Sequence, residues 1–373
     1  MFVRILSAHR LQSGALLLLL SLAAAALLAF PQAAAAGVNR GLSLCATVLI
    51  PSLFPFLILS NFLSISGLCD AVGRRLERVT MALFGLPGCC AAGILLSFVG
   101  GYPTGACTVA ALCRQGNLSH EQGRRMLCFC TCAGPAFLIS AVGAGMFGSA
   151  RYGALLYAAH LAAALVMGIG QRLLCPRPQG LTAARLPAPP PAPAAALAES
   201  VRSGCRSLFY LCGFAVAFCT LISLLDACRI TDLLPALLSP DRPAPPALRG
   251  AIGGLLEITG GCLAVAAGGT PEPLLLGFLL GFGSLSIHCQ VSAWLHDMPA
   301  VRRGFFRARL LHAALGGLFT LWLTRLFPAP LHVLQAADGT PVRLFTVSAA
   351  ASACLLMMFA LFLLGAARSA AKK

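Results

Sequence analysis

The fold is decided by two apolar stretches that are each interrupted near the centre. Residues 88–106 read GCCAAGILLSFVGGYPTGA, and residues 250–269 read GAIGGLLEITGGCLAVAAGG. A glycine pair interrupts each stretch, and Pro103 follows the first pair. An interrupted helix frees backbone groups that lipid cannot satisfy, so it must lie inside protein or beside a water-filled cavity. Each arm of about ten residues reaches roughly 15 Å, half of a bilayer core. Both stretches are therefore predicted to be re-entrant hairpins.

The composition places these hairpins in a membrane protein. Of the 373 residues, 58% are hydrophobic and 10% are charged, whereas soluble domains have about 45–50% apolar and about 25% charged residues. This excludes soluble enzymes, nucleic-acid binders and disulfide scaffolds. The net charge is +16, and all but two of the 27 cationic residues are Arg. They lie in short loops between apolar runs, which is typical of topology signals and of contacts with lipid headgroups.

The apolar runs predict an all-α polytopic membrane protein with about eight transmembrane helices plus the two re-entrant hairpins. The predicted spans are 12–30, 43–65, 126–148, 152–173, 207–228, 273–295, 308–326 and 344–366. The first run could be a cleaved signal peptide, since Arg4 and Arg10 precede it and small residues follow. Its long apolar core favours an uncleaved span.

The charge distribution orients the spans and exposes a repeat. With both termini in the cytoplasm and both hairpins re-entrant, most Arg residues fall in cytoplasmic loops, as the positive-inside rule requires. A span, a hairpin and two further spans then occur twice, in opposite orientations. Such an inverted repeat is typical of secondary transporters. The predicted segments are an N-terminal transmembrane helix (1–40), a first repeat (41–174), a Pro/Ala-rich cytoplasmic linker (175–200), a second repeat (201–328) and a C-terminal transmembrane helix with a basic tail (329–373).

Polar residues inside the predicted spans indicate a site near the hairpin tips, where helix N-termini suit anions. Glu257 carries the carboxylate of the two hairpins. It is predicted to be either a proton or cation site or a group that caps a helix. Ser286 and Gln290 share a helical face, from which His288 is turned away. Since no Arg or Lys lies in the middle of a predicted span, an anion must be met by helix dipoles, hydroxyls, amides, Arg at cavity mouths or a co-bound cation. His160 is expected at a membrane interface.

Cofactor and metal chemistry find no support in the sequence. The cluster Cys128, Cys130 and Cys132 lacks the spacing of a zinc site, and the 17 Cys residues read as small fillers at helix contacts. No phosphate-binding loop and no Ser/His/Asp constellation is found. We therefore expect no cofactor, no metal and no enzymatic activity.

Several motifs resemble one known family of membrane proteins. They are Pro51-Ser52-Leu53-Phe54-Pro55-Phe56, Gly100-Gly101-Tyr102-Pro103-Thr104-Gly105-Ala106, Gly134-Pro135-Ala136-Phe137, Leu256-Glu257-Ile258-Thr259-Gly260 and Ser286-Ile287-His288-Cys289-Gln290. In this order they are similar to the YlbJ (SpoVV) family of sporulation integral membrane proteins, over residues 40–366. The resemblance implies gate-type repeats, a nucleoside-recognition or gate domain, and a fold related to concentrative nucleoside transporters. It also implies carriage of dipicolinic acid across the outer forespore membrane. Cys107 and Cys130 to Ala133 depart from the basic and asparagine residues of the family.

The sequence therefore predicts a transporter of a small organic anion, with dipicolinic acid as the expected substrate and a proton or cation as a possible coupled partner. A nucleoside transporter and a non-transporting membrane scaffold of the spore envelope are the alternatives. The predicted substrate-binding residues are Gly100, Gly101, Tyr102, Pro103, Thr104, Gly134, Pro135, Glu257, Thr259, Gly260, Ser286, His288 and Gln290.

Overall fold

A computed structural model describes residues 2–66, 68–174, 191–231, 246–268 and 272–328. Every regular element within these ranges is helical, which confirms the predicted all-α class. Three of the described helices are long and apolar enough to cross a membrane, or up to five if each bent helix pair forms one span. The predicted span 344–366 lies outside the described residues.

The first unit of the fold follows an N-terminal pair of helices. Helices α1 (Phe2–Ala29) and α2 (Pro31–Leu44) lead through a π-helical turn, Cys45–Leu49, into α3 (Ile50–Ile65), α4 (Leu68–Phe84), α5 (Cys89–Gly100), α6 (Tyr102–Arg114) and α7 (His120–Cys130). A π-helix, Ala136–Met146, and α8 (Ala150–Leu174) complete it. The chain bends by 98° where α1 meets α2.

The second unit follows α8 along the chain. It comprises α9 (Pro193–Ala227), α10 (Pro246–Leu256), α11 (Ile258–Ala267), α12 (Pro273–Phe282), α13 (Ser284–Trp294), the short α14 (Pro299–Arg302) and α15 (Phe305–Leu326). Among its described elements, a long helix precedes two short paired helices, a broken helix and another long helix, whereas in the first unit α4 lies between α3 and the paired helices.

The first hairpin breaks at the predicted glycine pair. Helix α5 ends at Gly100, and Gly101 turns the chain with φ +82° and ψ −170° before α6 begins. The two arms pack closely, because a Cβ added at Gly93 would lie 2.7 Å from Thr108 Cγ2. Small residues of this kind allow helices without a hydrophobic driving force to approach each other in a membrane.

The second hairpin breaks at Glu257, three residues before the glycine pair that was expected to break it. Gly260 and Gly261 instead lie within α11. A Cβ added at Gly261 would lie only 2.1 Å from Gly254 Cα on the facing arm. This second glycine pair therefore serves helix contact, and the carboxylate at Glu257 ends one helix and begins the next.

Both long spans after the hairpins are broken as well. In the first unit, α7 ends at Cys130, and residues 131–134 form a non-helical link before the π-helix. In the second unit, Gly283 (φ +81°) and Ser284 (φ +58°) separate α12 from α13. The buried hydrophobic core extends across both units, since Phe129, Phe147 and Leu276 belong to one cluster.

Two segments differ from their predicted form. Helix α4 occupies a stretch predicted as a cytoplasmic loop, and its second half meets α5 at an angle of 78°. Helix α9 starts at Pro193, inside the predicted linker 175–200, because proline fits the first turn of a helix and an alanine run follows it. Residues 175–190 of that linker lie outside the described residues.

Candidate functional site

The broken segments of both units surround one cavity. Its empty space measures about 490 Å³, including the part that opens outward. Nine of the predicted site residues line it, namely Gly100, Gly101, Tyr102, Pro103, Gly134, Glu257, Thr259, Ser286 and Gln290. The two hairpin breaks and one face of α13 thus converge on the same space.

Four predicted site residues do not line this cavity. The Thr104 hydroxyl donates to the Gly100 carbonyl at 3.1 Å, and Pro135 begins the π-helix. The Gly260 N–H is directed to Glu257. His288 lies on the opposite side of α13 from Ser286 and Gln290, since helical residues two apart face different ways.

The N-terminus of α6 at the cavity is not capped by a side chain. Gly101 occupies the cap position, and no side chain of the described residues forms a cap hydrogen bond with this helix. The N–H groups of a first helical turn have no partner within their own helix and carry the positive end of the helix dipole. Tyr102 and Pro103 bring this end to the cavity wall. Because glycine has no side chain, a ligand can approach the helix end closely.

Glu257 caps the second hairpin from within. Its carboxylate accepts hydrogen bonds from Thr259 N at 3.0 Å and from Gly260 N at 2.7 Å. The side chain is buried (3% exposed) and still lines the cavity. This is the capping geometry that was one of the two readings of the residue. The N-terminus of α11 is therefore already capped by a carboxyl group, whereas the N-terminus of α6 has no side-chain cap among the described residues.

The wall formed by α13 presents neutral polar groups. The Gln290 side-chain amide donates to the Ser286 hydroxyl at 3.3 Å, and both residues are buried. A hydroxyl and an amide can donate or accept, so this wall suits either a carboxylate or the hydroxyl groups of a neutral ligand. The remaining wall is apolar and includes Leu211 and Ala215 of α9, which the search for polar residues in spans missed. Leu211 and Ala215 are four residues apart and so share one face of a long helix, and this spacing was the sequence feature that could have indicated them.

A buried guanidinium group lies directly behind the cavity. The predicted span 308–326 put Arg309 near its end, but α15 begins at Phe305 and Arg309 is fully buried (0% exposed). Its Nη2 donates to the Gly281 carbonyl at 2.7 Å, and the Tyr102 hydroxyl donates to the neighbouring Leu280 carbonyl. No Asp or Glu in the described part of the chain forms an ion pair with Arg309. Nothing in the sequence around Arg309 indicates that this charge is buried.

Two histidines are close to this arginine in sequence or in space. His160 was expected at a membrane interface, but it is buried on α8, and its ring centroid lies 5.6 Å from that of His312 on α15. Neither ring makes a hydrogen bond to the described residues. The cysteines Cys128, Cys130 and Cys132 are free and buried. Among the residues that the structure describes, no three His, Cys, Asp or Glu side chains could hold a metal ion together.

Comparison with known proteins supports this reading of the fold. Residues 46–150 match the family model Gate, which is described as nucleoside recognition. The chain is 28% identical over 329 residues to the sporulation integral membrane protein YlbJ of Bacillus subtilis (strain 168), covering 80% of this chain and 79% of that protein. The resemblance to YlbJ is confirmed. No solved structure matches the chain.

The Gate match covers the first wall of the cavity. It includes α5, α6 and the π-helix, and thus Gly101, Tyr102 and Gly134. The second wall, with Glu257 and Gln290, lies beyond the matched residues. Like YlbJ, the chain is an integral membrane protein, as its apolar helices indicate.

Proposed function

We propose that the chain transports a small organic anion by alternating access at its paired hairpins, and that dipicolinic acid of endospore formation is the substrate. The observation that carries this proposal is the convergence of the breaks of two different hairpins on one cavity. In secondary transporters the substrate site usually lies where broken helices meet. The name of the similar protein, a sporulation integral membrane protein, supports the biological setting. We further propose an outer forespore membrane location with both termini in the cytoplasm.

The uncapped N-terminus of α6 is the proposed place for a substrate carboxylate. Backbone N–H groups at a helix start bind anions without a cationic side chain, and none of the described residues that line the cavity is Arg or Lys. The Ser286 hydroxyl and the Gln290 amide offer donors for a second carboxylate. The fully buried Arg309 adds a positive charge behind Tyr102. A compact aromatic dicarboxylate fits such a combination of donors and apolar wall.

Glu257 is the proposed coupling residue. An ionised carboxylate in the cavity repels an anionic substrate, and a low dielectric strengthens this repulsion. A proton or a cation bound at Glu257 would remove it. Transport of the anion would then depend on a proton or cation that accompanies it. We also propose that the protein has no enzymatic activity.

Nucleoside transport is the second candidate, and Glu257 is the observation that favours it. A carboxylate and an amide are suitable acceptors for ribose hydroxyls, and a neutral substrate does not meet the charge repulsion. The description of the Gate family as nucleoside recognition points in the same direction.

Uptake into proteoliposomes separates these candidates. We expect the wild type to accumulate labelled dipicolinate in a proton gradient. Glu257→Gln, which has no group to bind the coupled proton, is expected to lose both the accumulation and its dependence on the gradient. The matched control is Glu272→Gln, because Glu272 is an exposed glutamate at the start of α12 and does not line the cavity. Uptake of uridine without dipicolinate would replace the first candidate by the second. Uptake of neither would favour the membrane scaffold.

A further inference from the structure

A second concavity lies on the other side of α13 from the central cavity. Its empty space measures about 650 Å³, and it is lined by His288, Ser292, Pro299, Arg302, Arg303, Phe305 and Phe306. None of these residues lines the central cavity. The face of α13 that carries Ser286 and Gln290 belongs to one space, and the face that carries His288 and Ser292 belongs to the other.

The second concavity carries positive charge that the described residues leave unneutralised. Arg302 is half-buried, and its buried Nε has no hydrogen-bond partner in the described part of the chain. Arg303 is exposed. Asp297, the acidic residue nearest in sequence, is held by Arg114 through bonds of 2.9 and 3.1 Å. Two guanidinium groups beside a hydroxyl suit the oxygens of a phosphate group.

His288 closes the concavity on its apolar side. Its ring centroid lies 4.8 Å from that of Phe282, 5.1 Å from Phe305 and 5.6 Å from Phe306. The Nε2 atom lies 3.2 Å from the Phe282 carbonyl oxygen. His288, one of the four predicted site residues that do not line the central cavity, therefore belongs to the aromatic side of this second space.

An apolar stripe leads away from the concavity along α15. Phe306 is 56% exposed, and Leu310, Leu318 and Trp322 are exposed further along the same helix. Each step of four residues turns about 40° around the axis, so this stripe winds around the helix by about 160° from Phe306 to Trp322. From Phe306 to Trp322 the helix rises roughly 24 Å, close to the thickness of a hydrocarbon core. A cationic pocket at the end of such a stripe combines a place for a charged group with a surface for acyl chains.

We propose that this concavity binds the headgroup phosphate of an anionic phospholipid, with the acyl chains along the stripe from Phe306 to Trp322. Basic pockets between transmembrane helices bind such headgroups. A free phosphate ion would also bind to Arg302 and Arg303, but it would not contact the apolar stripe. The proposal does not depend on the transported substrate.

The test measures binding of a spin-labelled phosphatidylglycerol to the full chain in nanodiscs of phosphatidylcholine. We expect Arg302→Gln with Arg303→Gln to weaken the apparent affinity about 30-fold. The matched control is Arg307→Gln, an exposed arginine of the same segment that does not line the concavity. It is expected to bind like the wild type. If the double variant does not fold, each single variant carries the comparison, with an expected loss of about fivefold.

Three outcomes would overturn the proposal. Equal losses in the double variant and in Arg307→Gln would indicate unspecific attraction between a basic surface and an acidic lipid. No loss in the double variant would remove the site. Displacement of the labelled lipid by millimolar inorganic phosphate would assign the site to a free anion instead of a lipid.

Discussion

Gly101 and Glu257 interrupt their hairpins by different chemistry. At Gly101 the backbone has φ +82° and ψ −170°, a region that is essentially restricted to glycine. At Glu257 the backbone is extended, and the side chain binds two N–H groups of the next helix. The first break therefore needs the absence of a side chain, and the second needs a side chain that accepts hydrogen bonds.

This difference leads to a prediction for Gly101→Ala. A Cβ at Gly101 would lie 3.3 Å from Gly134 N, and the backbone would be strained at any spacing. We expect a loss of about 1–3 kcal/mol in the free energy of unfolding, measured as a lower melting temperature in detergent. The control is Gly213→Ala on α9, which has open space around its Cβ position. It should raise stability slightly, since alanine favours helices by about 0.5–1 kcal/mol over glycine. Equal melting temperatures for both variants would contradict the strain at Gly101.

At the scale of elements, the two hairpins hold their arms together through small residues. In the second hairpin, α10 and α11 approach so closely that Gly254 and Gly261 are in backbone contact. The glycine pair that was predicted to break this hairpin serves this contact instead. Any movement of the hairpin must therefore carry both arms as one body.

Gly261→Ala tests this contact. The new methyl group would lie 2.1 Å from Gly254 Cα and 2.6 Å from Gly254 N, so the arms must separate. Overpacking of this kind costs about 1–3 kcal/mol, and we expect a lower melting temperature together with a reduced maximal uptake rate. Gly253→Ala is the matched control, because its Cβ would meet nothing within 4 Å on the same hairpin. A control as damaging as Gly261→Ala would mean that the hairpin is merely intolerant of alanine.

The hairpins also show which features of the fold can be predicted from the sequence. Their existence follows from apolar arms of half-bilayer length around a break, and the first break lies at the predicted pair. The second break was misplaced because glycine is both a helix breaker and a contact residue, and only the three-dimensional packing separates the two roles. That Glu257 caps a helix was one of the two predictions for this residue, because its side-chain oxygens can accept hydrogen bonds from backbone N–H groups.

At the scale of the whole molecule, the units are joined across the cavity. The Tyr102 hydroxyl of the first unit donates to the Leu280 carbonyl of the second, and Arg309 donates to the adjacent Gly281 carbonyl. Such contacts between distant segments have no signature in sequence. Helix breaks and polar residues in the sequence were enough to predict the nine residues that line the cavity. The burial of Arg309 and the position of His288 depend on how α13 and α15 pack, and could not be predicted in this way.

An ion pair provides a second link between the units outside the membrane-spanning segments. Arg114 at the end of α6 binds Asp297 in the loop after α13, at 2.9 Å between Nη2 and Oδ1. The hydrogen bond from Arg114 lowers the pKa of the Asp297 carboxyl in the folded protein. A lowered pKa stabilises the folded state above the ordinary carboxyl pKa of about 3.9, and this contribution is lost as the pH falls through the lowered value.

Arg114→Gln should therefore change stability in a pH-dependent way. At neutral pH we expect a slightly lower melting temperature than in the wild type, because exposed ion pairs contribute little. The difference should shrink as the pH falls below about 4, because the Asp297 carboxyl of the unfolded chain then binds a proton while the lowered pKa still keeps it ionised in the folded protein. The control is the double variant Arg124→Gln with Glu121→Gln. In the wild type these residues form an ion pair within one helix, in which Arg124 lowers the pKa of Glu121, and this pair does not link the two units. Melting curves in detergent at several pH values measure both. If Arg114→Gln lowered the melting temperature equally at all pH values, Arg114 would act through its hydrogen bond to the Trp294 carbonyl and not through its charge on Asp297.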